Sequence, residues 1–295
     1  MKNIVSRCKS LLVISGILVA SASVADTTLY EVTNTKGNSL YLGGTIHLLR
    51  PSDFPLPNEF QSAFDQSQTL VLETDLQKAS SPESGQKVLQ QMSYSGGKNL
   101  STELRPEVWK ELQDYSAANQ VPIGQLMQFK PFMASIVMVM QQGQKLGLTQ
   151  GVDFYFNQQA RALNKSLGEL ESFDETLVFM NELNELDPNQ AIISTLRDLK
   201  KMNEMMISVT AAWKVGDLSL LEKEMLIPMK KEFPKIYQIV VANRNNNWVP
   251  QIDAMLATPE KEMILVGSLH LVGEDGLLNQ LRKKGYKINP VKAAK

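Results

Sequence analysis

The chain is poor in the residues that usually do chemistry. Its 295 residues include one cysteine, Cys8, and two histidines, His47 and His270. Cys8 lies before an apolar run at 11–19, whereas a lipidated cysteine lies after one, so it does not mark a lipoprotein. Other absences remove whole classes of enzyme. The sequence has no G-x-S-x-G elbow, no H-E-x-x-H helix and no P-loop. A Ser-His-Asp arrangement would use only one of the two histidines. A carboxylate-pair glycosidase stays open but would leave their resemblance to each other unexplained.

Long apolar runs are also scarce. The first 25 residues read as an export leader: Lys2, Arg7 and Lys9 give a positive start, the run at 11–19 follows, and Ser23-Val24-Ala25 precedes Asp26 as a small-x-Ala cleavage site. That run is shorter than the ~20 apolar residues a permanent span needs, and the next candidate, 132–140, is flanked by Lys130 and a Gln-rich stretch. The expectation is a periplasmic or secreted protein, cleaved near Ala25, with no stable membrane span afterwards. The remaining 270 residues would hold no cysteine, hence no disulfide and no thiolate for zinc or catalysis. They carry 27 Lys+Arg against 31 Asp+Glu, a net charge of −4 that argues against nucleic acid or an anionic membrane as the main partner.

What is present falls into three zones. Residues 28–74 are β-like: Ser39-Leu40-Tyr41-Leu42 leads into Gly43-Gly44-Thr45-Ile46-His47, residues 57–64 read as a short crossover helix, and Thr69-Leu70-Val71-Leu72 leads into Glu73. This predicts a βαβ unit with a histidine and a glutamate at its two strand ends. Residues 83–250 read as a helical insertion, with Pro106 opening a helix, 132–140 apolar on most sides as a buried helix, Met202, Met205 and Met206 as core gap-fillers at helical spacing, and Gly151 opening a further helix. Within it, 166–171 resembles a short strand. The end of the chain returns to β: Met263-Ile264-Leu265-Val266 as a strand, a helix over 276–284 stopped by Gly285, and a last strand at 286–288. The predicted class is α/β, with one domain over 26–295 whose central sheet is built from both chain ends around the insertion.

The two histidines share one local pattern. GGTIHLLR at 43–50 and VGSLHLVG at 266–273 both follow an apolar strand, and both place a glycine three residues before the histidine. A lone histidine after a strand is usually a core or cap residue, but two in matching contexts are harder to assign to packing. Ligands gather at the carboxyl ends of strands in open α/β sheets, so His47, Glu73 and His270 can converge across the 223 positions that separate the histidines. The glycines would let the backbone turn sharply or approach closely. Two imidazoles and a carboxylate form a ligand set for a catalytic transition metal. Arg244, within Asn243-Arg244-Asn245, can clamp a carboxylate or stabilise an oxyanion; alternatively the segment is a surface turn.

GGTIHLL, LVLETD about 25 residues on, KPF, GVDFYF, LGELES, NRNNNWVPQI and VGSLHLVGEDGLLNQLRKKGYKI together resemble the TraB/GumN family, to which the animal Tiki proteins are related. The resemblance runs over about 40–291; the helical middle is matched only by anchors such as Pro131, Gly151, Asp153 and Trp248. It implies an erythromycin-esterase/ChaN-like α/β fold and a metal-dependent peptidase using manganese or cobalt, with zinc or iron as further candidates. Carried over, His47 and His270 would be metal ligands, Glu73 a ligand or general base, and Arg244 and Asn243 would bind substrate or steady the transition state. The absence of an anchor and of cysteines after cleavage departs from the animal proteins, so their substrate does not transfer. Two other readings stay open: a non-catalytic binding protein for a peptide, metal or haem-like ligand, and a metal-free, esterase-like hydrolase.

Overall fold

A computed structural model describes residues 27–292. The expected leader at 1–25, with Cys8, lies outside them. A six-stranded mixed sheet organises the fold: β1 (Leu29–Thr33), β2 (Ser39–Thr45), β3 (Thr69–Leu72), β4 (Ser166–Glu169), β5 (Glu262–Gly267) and β6 (Lys287–Pro290), in the order β4-β3-β5-β2-β1-β6. Strands β4, β3, β5 and β2 are mutually parallel, and β1 runs antiparallel to β2 and β6. The architecture is α/β with a large helical part, as the zones of the sequence predict.

One refinement concerns the N-terminal βαβ unit. Its helix is Asn58–Gln66, but β2 and β3 are not neighbours, because β5 pairs with both. Glycine content explains how β2 tolerates this position: a Cβ on Gly43 would meet Leu265 Cδ2 at 2.8 Å. Strand β5 is apolar on both faces because both are covered. Met263 and Leu265 pack with Phe60, Phe64, Phe156 and Trp213 on one side, and Ile264 and Val266 with Trp248, Ile252 and Leu281 on the other.

The insertion opens with helix Pro82–Met92 and closes with helix Asn243–Leu256, and its own core joins Leu104, Leu112, Met138, Ile192 and Leu199. Helix Pro131–Lys145 departs from the reading of 132–140 as buried on most sides. It buries only Pro131, Ala134, Met138 and Gly143, and Met140 is exposed. Its apolar excess goes partly into cleft walls rather than core. Helix Leu277–Lys283 ends, as expected, before a left-handed Gly285 with φ of +89°. Among the described residues no helix is long and apolar enough to cross a membrane.

Candidate functional site

The carboxyl ends of the four parallel strands deliver the site. His47 follows β2, Glu73 follows β3, Glu171 follows β4, and Gly267 ends β5 before the turn Ser268–His270. The paired glycines serve close approach rather than sharp turning. Gly267 has φ −53° and ψ 136°, an ordinary extended conformation, yet a Cβ on it would lie 3.3 Å from His47 Nε2 and 3.4 Å from Glu73 Oε1. On Gly44 a Cβ would meet Ser268 Oγ at 2.8 Å and Leu271 Cδ1 at 2.9 Å, so this glycine lets the His270 turn lie on β2. Ser268 Oγ then donates to Thr45 O at 2.9 Å, and the buried Trp213 indole donates to Gly44 O at 2.6 Å.

Each imidazole is oriented through its Nδ1. His47 Nδ1 is 3.2 Å from Asp153 Oδ1, and Val152 N–H donates to Ile46 O. Gly151 makes this docking possible, since a Cβ there would fall 2.1 Å from Ile46 O. His270 is buried, with Nδ1 2.7 Å from Asn245 Oδ1 and Nε2 3.2 Å from Arg244 Nη1. A guanidinium only donates, so Nε2 accepts and Nδ1 carries the proton. The Asn245 amide nitrogen agrees with that assignment, donating to His270 O and Asp275 O.

Arg244 ties the acidic groups together. Its Nη2 donates to Glu73 Oε2 at 2.6 Å and to Glu171 Oε1 at 2.7 Å, and its Nε donates to Glu171 Oε2 at 2.9 Å. The guanidinium lies between Phe179 and Trp248, 4.7 and 4.6 Å from the ring centres. A five-residue π-helical segment, Gln238–Ala242, immediately precedes its helix, and such irregularities recur at functional sites. Glu73 Oε1 accepts from Gly267 N–H at 2.6 Å, so both oxygens of this carboxylate are engaged.

These contacts set opposite charge states on the two histidines. Burial, with the positive charges of Arg244 and His47, outweighs the pull of Glu73 and brings His270 down to about 3. His47 moves the other way: desolvation opposes its charge, but the hydrogen bond and charge of Asp153, with Glu73 behind them, raise it to about 9. Its ring is 59% exposed, so solvent screens part of this attraction. For Glu73, burial is the largest influence and favours the acid, yet Arg244, then the two imidazoles and the Gly267 N–H, reverse it and hold the carboxyl far below its usual range. Glu171 goes up, because burial prevails over its bidentate bond to Arg244.

The structure therefore brings together His47, Glu73, His270 and Arg244. Asn243 is exposed on the rim of a polar cavity of about 500 Å³ beside Arg244, a cavity also lined by Glu171, Glu175 and Glu182. Sequence reasoning overlooked Asp153, Glu171 and Asn245 as orienting groups. Each lies in a quoted motif, GVDFYF, LGELES or NRNNNW, but nothing local tells which polar residue of those runs faces inward.

Among the described residues no three His, Cys, Asp or Glu side chains form a ready metal cage. The donor chemistry nevertheless fits a divalent transition metal. His47 Nε2 and Glu73 Oε1 both border Gly267, His270 Nε2 is 4.0 Å from Glu73 Oε1, and both Nδ1 atoms have partners of the kind that orient metal-binding imidazoles. Arg244 is the competitor, holding both Glu73 and the His270 lone pair.

A sheet with covered faces, carrying a His/Glu/Arg cluster at the carboxyl ends of its parallel strands, defines an α/β protein with a polar site at those ends. The chain belongs to the TraB/PrgY/gumN family, whose model matches residues 28–290. It is 24% identical over 263 residues to the uncharacterised protein YbaP of Escherichia coli (strain K12), covering 85% of this chain and 91% of that protein. The same values hold for YbaP of Shigella flexneri. No solved structure gives a significant match.

Proposed function

We propose that the protein is an exported, metal-dependent hydrolase acting on peptides. The observation that carries this reading is the pairing of the two imidazoles at the strand ends: each has its Nδ1 occupied, His270 Nε2 lies 4.0 Å from Glu73 Oε1, and His47 Nε2 and Glu73 Oε1 both border Gly267. Export rests on the leader-like residues 1–25. Preference for a peptide rests on the TraB/GumN resemblance, and that for manganese or cobalt over zinc or iron likewise.

His47 and His270 would hold the cation, with Glu73 either completing the ligand set or, in the scheme that follows, left free as general base; the cation supplies a Lewis acid that polarises a carbonyl and acidifies water toward pKa ~7. The chain's own groups account for the proton transfers. While Arg244 grips Glu73, that carboxylate is too weak a base to take a proton near neutral pH. A substrate carbonyl that draws Arg244 away restores its basicity. Arg244 then donates to the developing oxyanion as Glu73 receives a proton from water and returns it to the leaving amine. Asn245 keeps His270 in the tautomer with Nε2 unprotonated, and Asp153 does the same for His47 once that ring loses its second proton.

The test is metal content by mass spectrometry after incubation with manganese, cobalt, zinc or iron and desalting. It uses the protein freed of residues 1–25, beside the His47→Ala/His270→Ala double variant. Near one ion per chain, lost in the double variant, supports the reading; no histidine-dependent ion removes it. The contact between Arg244 and His270, which occupies the His270 lone pair, favours a second reading, a metal-free, esterase-like hydrolase in which one histidine acts as general base. Hydrolysis that survives chelators selects that one.

A further inference from the structure

His47 has two sides. One faces the Glu73 carboxylate, and the other opens into a cleft of about 290 Å³ lined by Leu48, Val139, Leu199, Met202, Met205 and Met206. Two of its lining residues, Leu48 and Met202, lie over Gly143, where even an added Cβ would stand 3.5 and 3.7 Å from them. The polar groups around it do not point to a polar ligand. The Thr195 hydroxyl is engaged by Ser135 Oγ and Ala191 O, which leaves its methyl for the cleft. Asp198 is paired with Arg197 and is 55% exposed.

We propose that this cleft is the specificity subsite of the hydrolase, receiving a bulky apolar side chain (Leu, Met or Phe) of the peptide residue next to the scissile bond. The inference rests on the reading of His47 as a site residue. Continuity with His47 places the bound side chain directly beside the reacting centre. The volume is at the small end of ligand cavities, room for one side chain rather than a whole ligand. Three unbranched, polarisable methionine side chains accommodate differently shaped apolar groups, so the preference is broad among them and excludes small and charged residues. Helix Pro188–Lys214 thus supplies specificity through Met205 and Met206 while Met202 remains core.

The subsite is tested without relying on turnover. Protein labelled with ¹³C at the methionine methyls, with Met202, Met205 and Met206 assigned by single leucine substitutions, is titrated with N-acetyl-leucinamide, N-acetyl-alaninamide and octanoate. The expected result is movement of the Met205 and Met206 signals, half-saturated by the leucine probe at about one-tenth the concentration needed by the alanine probe. Met205→Glu abolishes that difference, and Met205→Leu keeps it. Equal response to the leucine and alanine probes, no response at all, or tighter binding of octanoate overturns the proposal. If the methyl titration succeeds while metal loading and hydrolysis both fail, the cleft is an apolar side-chain site and only the hydrolase reading falls. Hydrolysis with no preference at a neighbouring apolar residue sinks the subsite alone.

Discussion

Gly267→Ala separates the fold from the function of the site. The backbone there, φ −53° and ψ 136°, is open to alanine, and Gly267 N–H keeps its bond to Glu73 Oε1. Loss of unfolded-state freedom favours the variant by about 0.4–1 kcal/mol. The new methyl would stand 3.3 Å from His47 Nε2, 3.4 Å from Glu73 Oε1 and 3.7 Å from His270 Cδ2. Those separations are tight but not colliding, and the first two neighbours are side-chain ends able to shift by tenths of an ångström. The two effects oppose each other, so net stability should change by less than about 1 kcal/mol, a Tm shift within about 4 °C for a protein of this size. The methyl nevertheless presses on both donor atoms at once. A misplacement of about 1 Å costs about 100-fold in turnover, so shifts of a few tenths of an ångström should reduce turnover by several-fold, and metal retention should fall with it. The assay pairs thermal unfolding by circular dichroism with metal content and peptide hydrolysis on one preparation. A variant that folds normally and keeps full metal and activity would show that no reacting group uses the space between His47 and Glu73.

Three other outcomes follow from the same geometry. Gly151→Ala brings a Cβ to 2.1 Å from Ile46 O and 2.4 Å from the His47 carbonyl carbon, so the backbone must move; the cost is about 3 kcal/mol or more, read as a Tm drop of at least about 6 °C. Glu73→Gln and Glu171→Gln should differ although both contact Arg244. The first removes a strongly favoured charge and costs about 3–5 kcal/mol in urea unfolding, whereas the second removes a charge that burial already disfavours and costs under about 1 kcal/mol. Equal losses would contradict those charge states. The two histidines bound the pH range of stability from both sides. His270 is lowered in the folded state, so its contribution is complete above the unfolded value of 6.5 and is lost as pH falls toward about 3, with Glu73 adding to the loss on the acid side. His47 is raised, so its contribution is complete below 6.5 and is lost as pH rises through about 9; Asp153→Asn should flatten that alkaline limb. A urea midpoint that stays constant from pH 4 to 6.5 would refute the neutral, buried His270.

Much of this was legible before any coordinates, for identifiable reasons. Strand β5 shows itself because both faces are covered and the run is apolar throughout, and the glycine-histidine echo marks two strand ends because backbones there approach closely. Arg244 was legible as a candidate clamp for a carboxylate or oxyanion, with a surface turn as the alternative. What picks it out is three-dimensional: the π-helical segment Gln238–Ala242 before its helix and the rings of Phe179 and Trp248 on its two faces. Asn245 follows it by one position, and the helix buries its side chain against His270 while Asn243, Asn246 and Asn247 stay exposed. Composition cannot order four near-identical amides. The apolar pattern at 132–140 misled because an apolar surface can line a cleft as well as a core. The methionines at core spacing divide: Met202 is core and Met206 packs against two core clusters, as that spacing predicts, while both also line the cleft next to His47 and Met205 lines only the cleft.

The insertion of β5 between β2 and β3 gives the chain an order of assembly. Until residues 262–267 are available, the N-terminal strands have no partner to join them, and neither the neutral histidine nor the floor beneath the charged one exists. The last contacts close the circuit literally, with Val291 N–H donating to Leu29 O across nearly the whole described length. Pairings between such distant positions slow folding, because loop closure has to precede any gain from contact. A chain of this design has no assembled His/Glu/Arg cluster until residues 262–270 have joined the sheet.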